Sequence, residues 1–270
     1  MLCAMVRWFD AHCHLSDLRL SPLPESWQCA LREACILGGV TCASFPETWS
    51  LPLPQDLPFR RAYGIHPWCA AHVDDASFDA LDAIFRNDPH AIIGEIGLDG
   101  IRPTPDDGEV QRRVLRHQLA LAVTYSRPVV LHGARKWGAL FDELEQWVAK
   151  LPAVMIHGAA FAPQLLQRPL FRHQNVWFSF GSDVLRQKRC TAVALAAAVP
   201  WDRVLIETDA PDRLPSDGAV WISERTGERL NHPANLLRIG EALARLRGVS
   251  ISELAEQTFL NGLNFCSAQR

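Results

Sequence analysis

The sequence has eight cysteines in 270 residues but no two of them in a C-x-x-C arrangement, so a structural zinc finger is not supported. It has no run long enough to span a membrane. The alanine-rich stretch 192–199 is ended by Pro200, Asp202 and Arg203, well short of the roughly 20 apolar residues a bilayer requires. A secretory core is missing too, because Arg7 and Asp10 interrupt the apolar N-terminal run. There is no basic excess: the net charge is -3 and the pI near 6.4. Tight, non-specific nucleic-acid binding through a broadly basic surface is therefore not indicated, and any work on phosphodiesters needs positive charge supplied locally. No segment is of low complexity. These absences together predict cytoplasmic residence with reduced thiols, no membrane association and no obligate protein partner.

What is present is apolar mass and order. Hydrophobic residues make up 48% of the chain, and 270 residues is the usual size of one (β/α)8 barrel. Eight short apolar runs read as strands: Val6–Cys13, Val40–Phe45, Phe59–Ile65, Ala91–Leu98, Pro128–His132, Ala153–His157, Val176–Phe180 and Val204–Asp209. Helical periodicity follows most of them, over Ser77–Arg86, Val110–Tyr125, Trp137–Ala149, Thr191–Val199, Ala234–Leu246 and Ser250–Leu260. Ser250 with Glu253 forms a capping box at the last start. Nearly all-apolar strands alternating with helices indicate a parallel sheet covered by helices. The expected fold is therefore α/β, a TIM-type (β/α)8 barrel, as one domain over residues 1–270. The second unit is irregular, since prolines crowd Glu47–Leu57 and predict an extended or short helical connection. The polar loop Pro211–Arg229 is expected to form a wall or lid of the site.

The ligand-type residues fall at strand ends. His12 and His14 close the first strand, His66 the third, His132 the fifth, His157 the sixth and Asp209 the eighth, while Glu95 lies in the fourth. Strand alternation puts Asp10, His12 and His14 on one face, with Asp10 placed to hold an imidazole from behind. Each residue alone has an ordinary structural explanation, such as a carbonyl-bonded core histidine or a helix-capping aspartate. Seven of them converging on the carboxyl face of a barrel, where active sites lie, point instead to a metal centre. Four histidines and two carboxylates suit a pair of divalent ions with Glu95 between them. Such a pair lowers the pKa of bound water and clamps substrate oxygens. The mixed nitrogen and oxygen set favours Zn²⁺ or Mn²⁺ over Mg²⁺.

Several stretches carry a resemblance: Phe9 to His14, Tyr63 to Trp68, Ile93 to Asp99, Pro128 to His132, His157-Gly158, and Leu205 to Pro211. In combination they resemble the TatD family of metal-dependent hydrolases and deoxyribonucleases, amidohydrolase-like barrels, from about Phe9 to Phe265. The resemblance implies two divalent ions (Mg²⁺ commonly, Mn²⁺ or Zn²⁺ otherwise), with His12, His14, Glu95, His132, His157 and Asp209 as ligands. It implies that His66 contacts the substrate phosphate and that the activity is cleavage of DNA phosphodiesters. Glu207 shares a strand face with Asp209, which it would support on the substrate side. Arg135 stands three residues after His132, where the family usually has Arg two residues on. The run after His157 lacks the family's glycine after Phe161. These departures fall on the substrate side and leave the ligand set intact.

The resulting expectation is a metal-dependent phosphodiester hydrolase acting on DNA or a related substrate. Asp209 and Glu95 would do the chemistry with His66, and Arg135 would be a further phosphate contact. Trp68, Trp137 and Trp221 are candidate base-stacking residues. The alternative is a hydrolase of a small ester, amide or lactone using the same centre. A metal-binding protein without activity ranks behind both, since no ligand is missing.

Overall fold

A computed structural model describes residues 6–102, 106, 108–186 and 190–268. Eight parallel strands follow one another round a ring: β1 (Trp8–Cys13), β2 (Ile36–Ala43), β3 (Phe59–Tyr63), β4 (Ile92–Asp99), β5 (Val129–Ala134), β6 (Val154–Ile156), β7 (Val176–Phe180) and β8 (Val204–Ile206). The ring is completed by hydrogen bonds rather than a long ladder. The backbone N–H of Asp209 donates to His12 O (2.9 Å), and that of His14 to Ala210 O (2.7 Å). The Asp10 carboxylate accepts from the Thr208 N–H (2.9 Å) and hydroxyl (2.6 Å). Asp10 thus ties the first strand to the last and does not hold an imidazole, as alternation had implied. Burial pushes its carboxyl up to about 7, against the opposing pull of the Thr208 bonds.

Two apolar layers flank the strands. Inside the barrel, Ala11, Val40, Ala62, Ile92, Val130, Met155, Trp177 and Leu205 form one buried cluster with one residue from each strand. Phe9, Phe259 and Phe265 join this cluster, the last two carried by the final helix. The second layer lies between strands and helices, and includes Ile93, Leu131, Ile156, Phe178 and Ile206. Strand side chains point to opposite faces in turn, so residues that differ by one position fall into different layers.

The helices are α1 (Glu25–Glu33), α2 (Asp75–Asn87), α3 (Glu109–Thr124), α4 (Trp137–Leu144), α5 (Thr191–Ala198), α6 (Asn235–Arg247) and α7 (Ile251–Ser267). The expected periodic segments thus become helices, but α4 stops at Leu144 and not at Ala149, and α7 runs on to Ser267 to reach the barrel floor. Ser250 caps it, accepting from the Glu253 N–H at 3.2 Å. Helix α1 was not anticipated. It buries Trp27, Ala30 and Leu31, whose i, i+3, i+4 spacing was the available signal. After β2 there is only a 3-10 turn, Pro46–Thr48, and after β6 two more, Pro163–Gln167 and Pro169–Arg172. Proline at the start of each turn suits this, because its fixed φ and missing N–H fit a first helical position.

The loop after β8 contains a short antiparallel pair, β9 (Val220–Ile222) and β10 (Arg229–Asn231). Asn231 anchors it, donating from its side chain to Thr208 O at 2.8 Å. This pair packs beside the barrel, with the Trp221 ring 5.0 Å from that of buried Trp27. Trp221 is therefore a packing residue away from the mouth. From this loop only Asp212 and Arg213 reach the cavity wall.

Candidate metal centre at the barrel mouth

Besides a shift at the start of the β1–β2 ladder, between Trp8 and Phe9, two irregularities lie at the site. Along β1, Asp10 pairs with Gly39, but the next pair is Cys13 with Thr41. Three steps on one strand match two on the other, which is the signature of a β-bulge. The extra residue lets Ala11 enter the lumen cluster while His12 also turns inward above it. Along β4, Ile93 pairs with Val129 and then Ile96 with Leu131, again three steps against two, and Glu95 lies in that gap. Gly97 follows for a steric reason. A Cβ there would meet the His132 carbonyl oxygen at 1.9 Å, so only glycine lets β4 and β5 approach. Asp209 is turned back toward the lumen by a left-handed conformation, φ 56°, an uncommon geometry for a non-glycine residue that is often found at functional sites.

The result is a cage about Glu95. Its carboxylate lies 2.6 Å from His157 Nε2 and 2.8 Å from His132 Nδ1. It is 3.6, 3.7 and 3.7 Å from the Nε2 atoms of His12, His14 and His66. The Ser44 hydroxyl donates to its other oxygen at 3.3 Å. Asp209 Oδ1 lies 3.4 Å from His12 Nε2 and 3.2 Å from His14 Nε2. Donor atoms within 4.8 Å of one another form three groups: His12, His14 and Asp209; His12, Glu95 and His157; and His66, Glu95 and His132. All six expected ligands, with His66, thus come together.

Hydrogen bonds behind the rings sort them into two kinds. Three have a carbonyl or carboxylate at the back, and a fourth has a thiol. His14 Nδ1 meets Cys42 O at 3.0 Å and His12 Nδ1 meets the Cys42 sulfur at 3.4 Å. His157 Nδ1 faces Glu207 Oε1 at 3.4 Å, and His132 Nε2 faces Asp99 Oδ2 at 3.0 Å. An acceptor behind a neutral ring takes the N–H there, which leaves the lone pair of the other nitrogen facing the cage. His66 is the opposite case. Its Nδ1 accepts from the Trp68 backbone N–H at 3.1 Å, so the neutral ring carries its proton on Nε2, which points into the cavity. Two pairs of ring nitrogens also face each other at 3.2 Å, His12 with His14 and His132 with His157. Nitrogens at that separation without a proton between them are suited to a shared cation.

The carboxylates hold His14 (to about 9), His132 and His157 up, so these rings carry a proton toward Glu95 and Asp209 whose place a divalent cation would take. Burial by itself would raise the Glu95 carboxyl, but His157, His66 and His12 overcome it and hold it well below the usual carboxylate range. Asp209 likewise stays ionised, because its bonds to His12 and His14 outweigh its burial. Burial pushes His66 down to about 3, which keeps its ring neutral. Withdrawing charges from water costs several kcal/mol per ion in practice, so a cluster of this size is not there for stability. The donor set fits divalent ions: two ionised carboxylates and four imidazoles whose cage-facing nitrogens converge.

Asp99 and Glu207 extend the site outward. Asp99, which the sequence reading passed over as the end of a motif, accepts from the Trp68 indole N–H at 2.8 Å and faces His132. Glu207 accepts from the Gly158 N–H at 2.8 Å and sits behind His157. It is buried and supports His157, not Asp209 as strand alternation had implied. Above the cage opens a cavity of about 510 Å³. Trp68, Trp137 and Arg135 line it, Arg135 being exposed at the rim.

A closed parallel barrel with a buried imidazole–carboxylate cage at its carboxyl face defines a metal-dependent hydrolase. Comparison narrows the class. Residues 9–266 match the TatD related DNase family, and the chain belongs to it. It is 34% identical over 202 residues to the 3'-5' ssDNA/RNA exonuclease TatD of Erwinia tasmaniensis, covering 73% of this chain and 74% of that protein. Over 220 residues it is 30% identical to the protein of the same name from Salmonella typhimurium, covering 80% and 77%. The crystal structure of YJJV, a TatD homolog from Escherichia coli K12, matches with a TM-score of 0.84 at 26% identity, covering 96% of this chain and 98% of that one. Among the described residues, no helix is long and apolar enough to cross a membrane.

Proposed function

We propose that this enzyme hydrolyses phosphodiester bonds of single-stranded nucleic acid, DNA foremost, with two divalent ions held by His12, His14, Glu95, His132, His157 and Asp209. The single observation that carries this reading is the polarity of the rings. A carbonyl or carboxylate backs three rings and a thiol the fourth, which turns their other nitrogens toward the cage for a cation, while the fifth is backed by a donor and presents a proton. When bound, the ions supply the local positive charge that a phosphodiester requires and lower the pKa of a water beside it.

The chain's own residues do the rest. Glu95, buried at the centre, is the carboxylate available to both halves of the cage. Asp209 is ionised, its side chain reaches the cavity, and it accepts the proton of the attacking water. His66 donates from Nε2 to a non-bridging phosphate oxygen and is neutral when it does so. Glu207 and Asp99 keep the His157 and His132 rings turned the right way. A cavity of about 510 Å³ takes roughly one or two nucleotides of a strand end and not a duplex. The named activity of the relatives supports the same substrate class. Mn²⁺ or Zn²⁺ suits the nitrogen-rich donors, and Mg²⁺ suits the oxygens. Seven cysteines are unpaired among the described residues, which supports the cytoplasm as the compartment.

The test is hydrolysis of single-stranded DNA and RNA, an aryl phosphodiester, a carboxyl ester and a lactone by chelator-stripped enzyme reloaded with Mg²⁺, Mn²⁺ or Zn²⁺. Metal-dependent shortening of the strands that is lost in Asp209→Asn supports the reading. Metal-dependent turnover of the carboxyl substrates alone overturns it.

A further inference from the structure

The mouth of the cavity has two unlike walls. On the side of β1, β7 and β8 it is lined by Asp17, Asp183, Asp212 and Arg213. The cations on this side are already engaged. Arg213 pairs with Asp183, while Arg19 bridges Asp17 and Asp212 at 2.8 and 2.9 Å. Arg186 also pairs with Asp183, at 3.2 Å, so three aspartates face three engaged arginines and this side offers a polyanion no free cation among the described residues.

The opposite wall, above β3, β4 and β5, is aromatic and cationic. Trp68 lines it, its indole fixed by the bond to Asp99. The Arg102 guanidinium lies over the Trp68 ring, 3.6 Å from its centroid. The Arg102 backbone is itself pinned, its N–H donating to Asp99 Oδ1 at 3.0 Å. Arg135 stands at the rim of the same wall. Both arginines are exposed, and neither has a carboxylate partner among the described residues. A guanidinium laid on an indole loses little hydration and keeps its N–H edge available to phosphate, with its outer face open to a base.

We propose that this wall is the track for the polymer: Arg102, carried on Trp68, and Arg135 hold the backbone phosphates of the strand next to the bond being cut. The inference rests on the phosphodiesterase reading above and extends it from the bond to the chain attached to it. It also explains how an enzyme with a net charge of -3 takes a polyanion, since only one side of the mouth needs to be positive.

The experiment measures binding of a fluorescein-labelled single-stranded DNA 10-mer to the Asp209→Asn protein in Mg²⁺ across a range of NaCl concentrations. Removing one phosphate contact on a single strand lowers the slope of log K against log salt by about 0.7. Arg102→Ala and Arg135→Ala are each expected to do this, the double variant by about 1.4, and Arg102→Lys to recover most of the slope. In the active enzyme, Arg102→Ala is expected to raise KM for the 10-mer about fivefold more than KM for an aryl phosphodiester too short to reach the wall. Unchanged slopes in both alanine variants, with the 10-mer still cleaved by the parent enzyme, overturn the wall and leave the proposed reaction standing. Salt-sensitive binding that falls as predicted, with no cleavage by the parent enzyme, supports the wall and overturns the reaction.

Discussion

Strands β1 and β4 deliver their polar side chains differently from β5, β6 and β8. In the first pair a bulge interrupts the ladder, and the functional side chain sits within the strand. In the second group the β5–β6 and β7–β8 ladders stay in register, His157 and Asp209 come just past their strand ends, and His132 lies in the last half of β5. Burial follows this division. The His12 and Glu95 side chains are 0% and 4% exposed, whereas those of His132 and Asp209 are 15% and 16% exposed. A bulge is how a barrel puts a charged group below its rim without breaking the ring, because it re-aims one side chain while its neighbours keep packing. The groups delivered by bulges form the floor of the cage, and those at strand ends face substrate.

This division orders the expected effects of mutation. Glu95→Gln removes the one carboxylate that reaches every ring, and is expected to lower kcat on a single-stranded oligonucleotide by roughly a thousandfold or more. Retention of more than a tenth of the activity would break the comparison at its floor. Asp209→Asn, at the rim, is expected to cost about a hundredfold in kcat. Circular dichroism should show its fold unchanged, because the backbone bond from its N–H to His12 O stays.

Gly97→Ala probes the bulged strand itself. With 1.9 Å between the added carbon and the His132 carbonyl oxygen, β4 and β5 must separate. The expected loss is ~2–3 kcal/mol, read as a fall in Tm of roughly 5–10 °C. The smallest effect belongs to Glu207→Gln behind a rim histidine. It keeps the bond from the Gly158 N–H but removes the charge facing His157, and is expected to weaken metal uptake about 10- to 100-fold, measurable by calorimetry. A loss as large as that of Glu95→Gln would mean that rim and floor are not distinct.

How much of this was legible in the sequence depends on which link of the chain is asked about. The strands were legible because buried parallel strands are written as short apolar runs, and most helices because they keep one apolar stripe, α5 being apolar all round. The residues of the cage were legible because their types recur at the carboxyl ends of those runs. The bulges were not, since period-two alternation has no mark for an inserted residue, and this misassigned Asp10. The orientation of the rings was equally hidden. It depends on backbone atoms such as the Cys42 carbonyl and the Trp68 N–H, which carry no letter of their own. Asp99 passed for the end of a motif because its partners, His132 and Trp68, are 33 and 31 residues away. Helix α1 was overlooked behind a proline and a run of polar residues, although its buried stripe was there to be read.

The central claim is that Glu95 in its bulge is the shared carboxylate of a two-ion cage. The measurement that reaches it most directly is a calorimetric titration of the chelator-stripped protein with Mn²⁺, run beside Glu95→Gln. The account predicts two equivalents taken up by the parent chain and loss of that paired uptake in the variant. The same stoichiometry in both proteins, or a single ion in the parent chain, would contradict it.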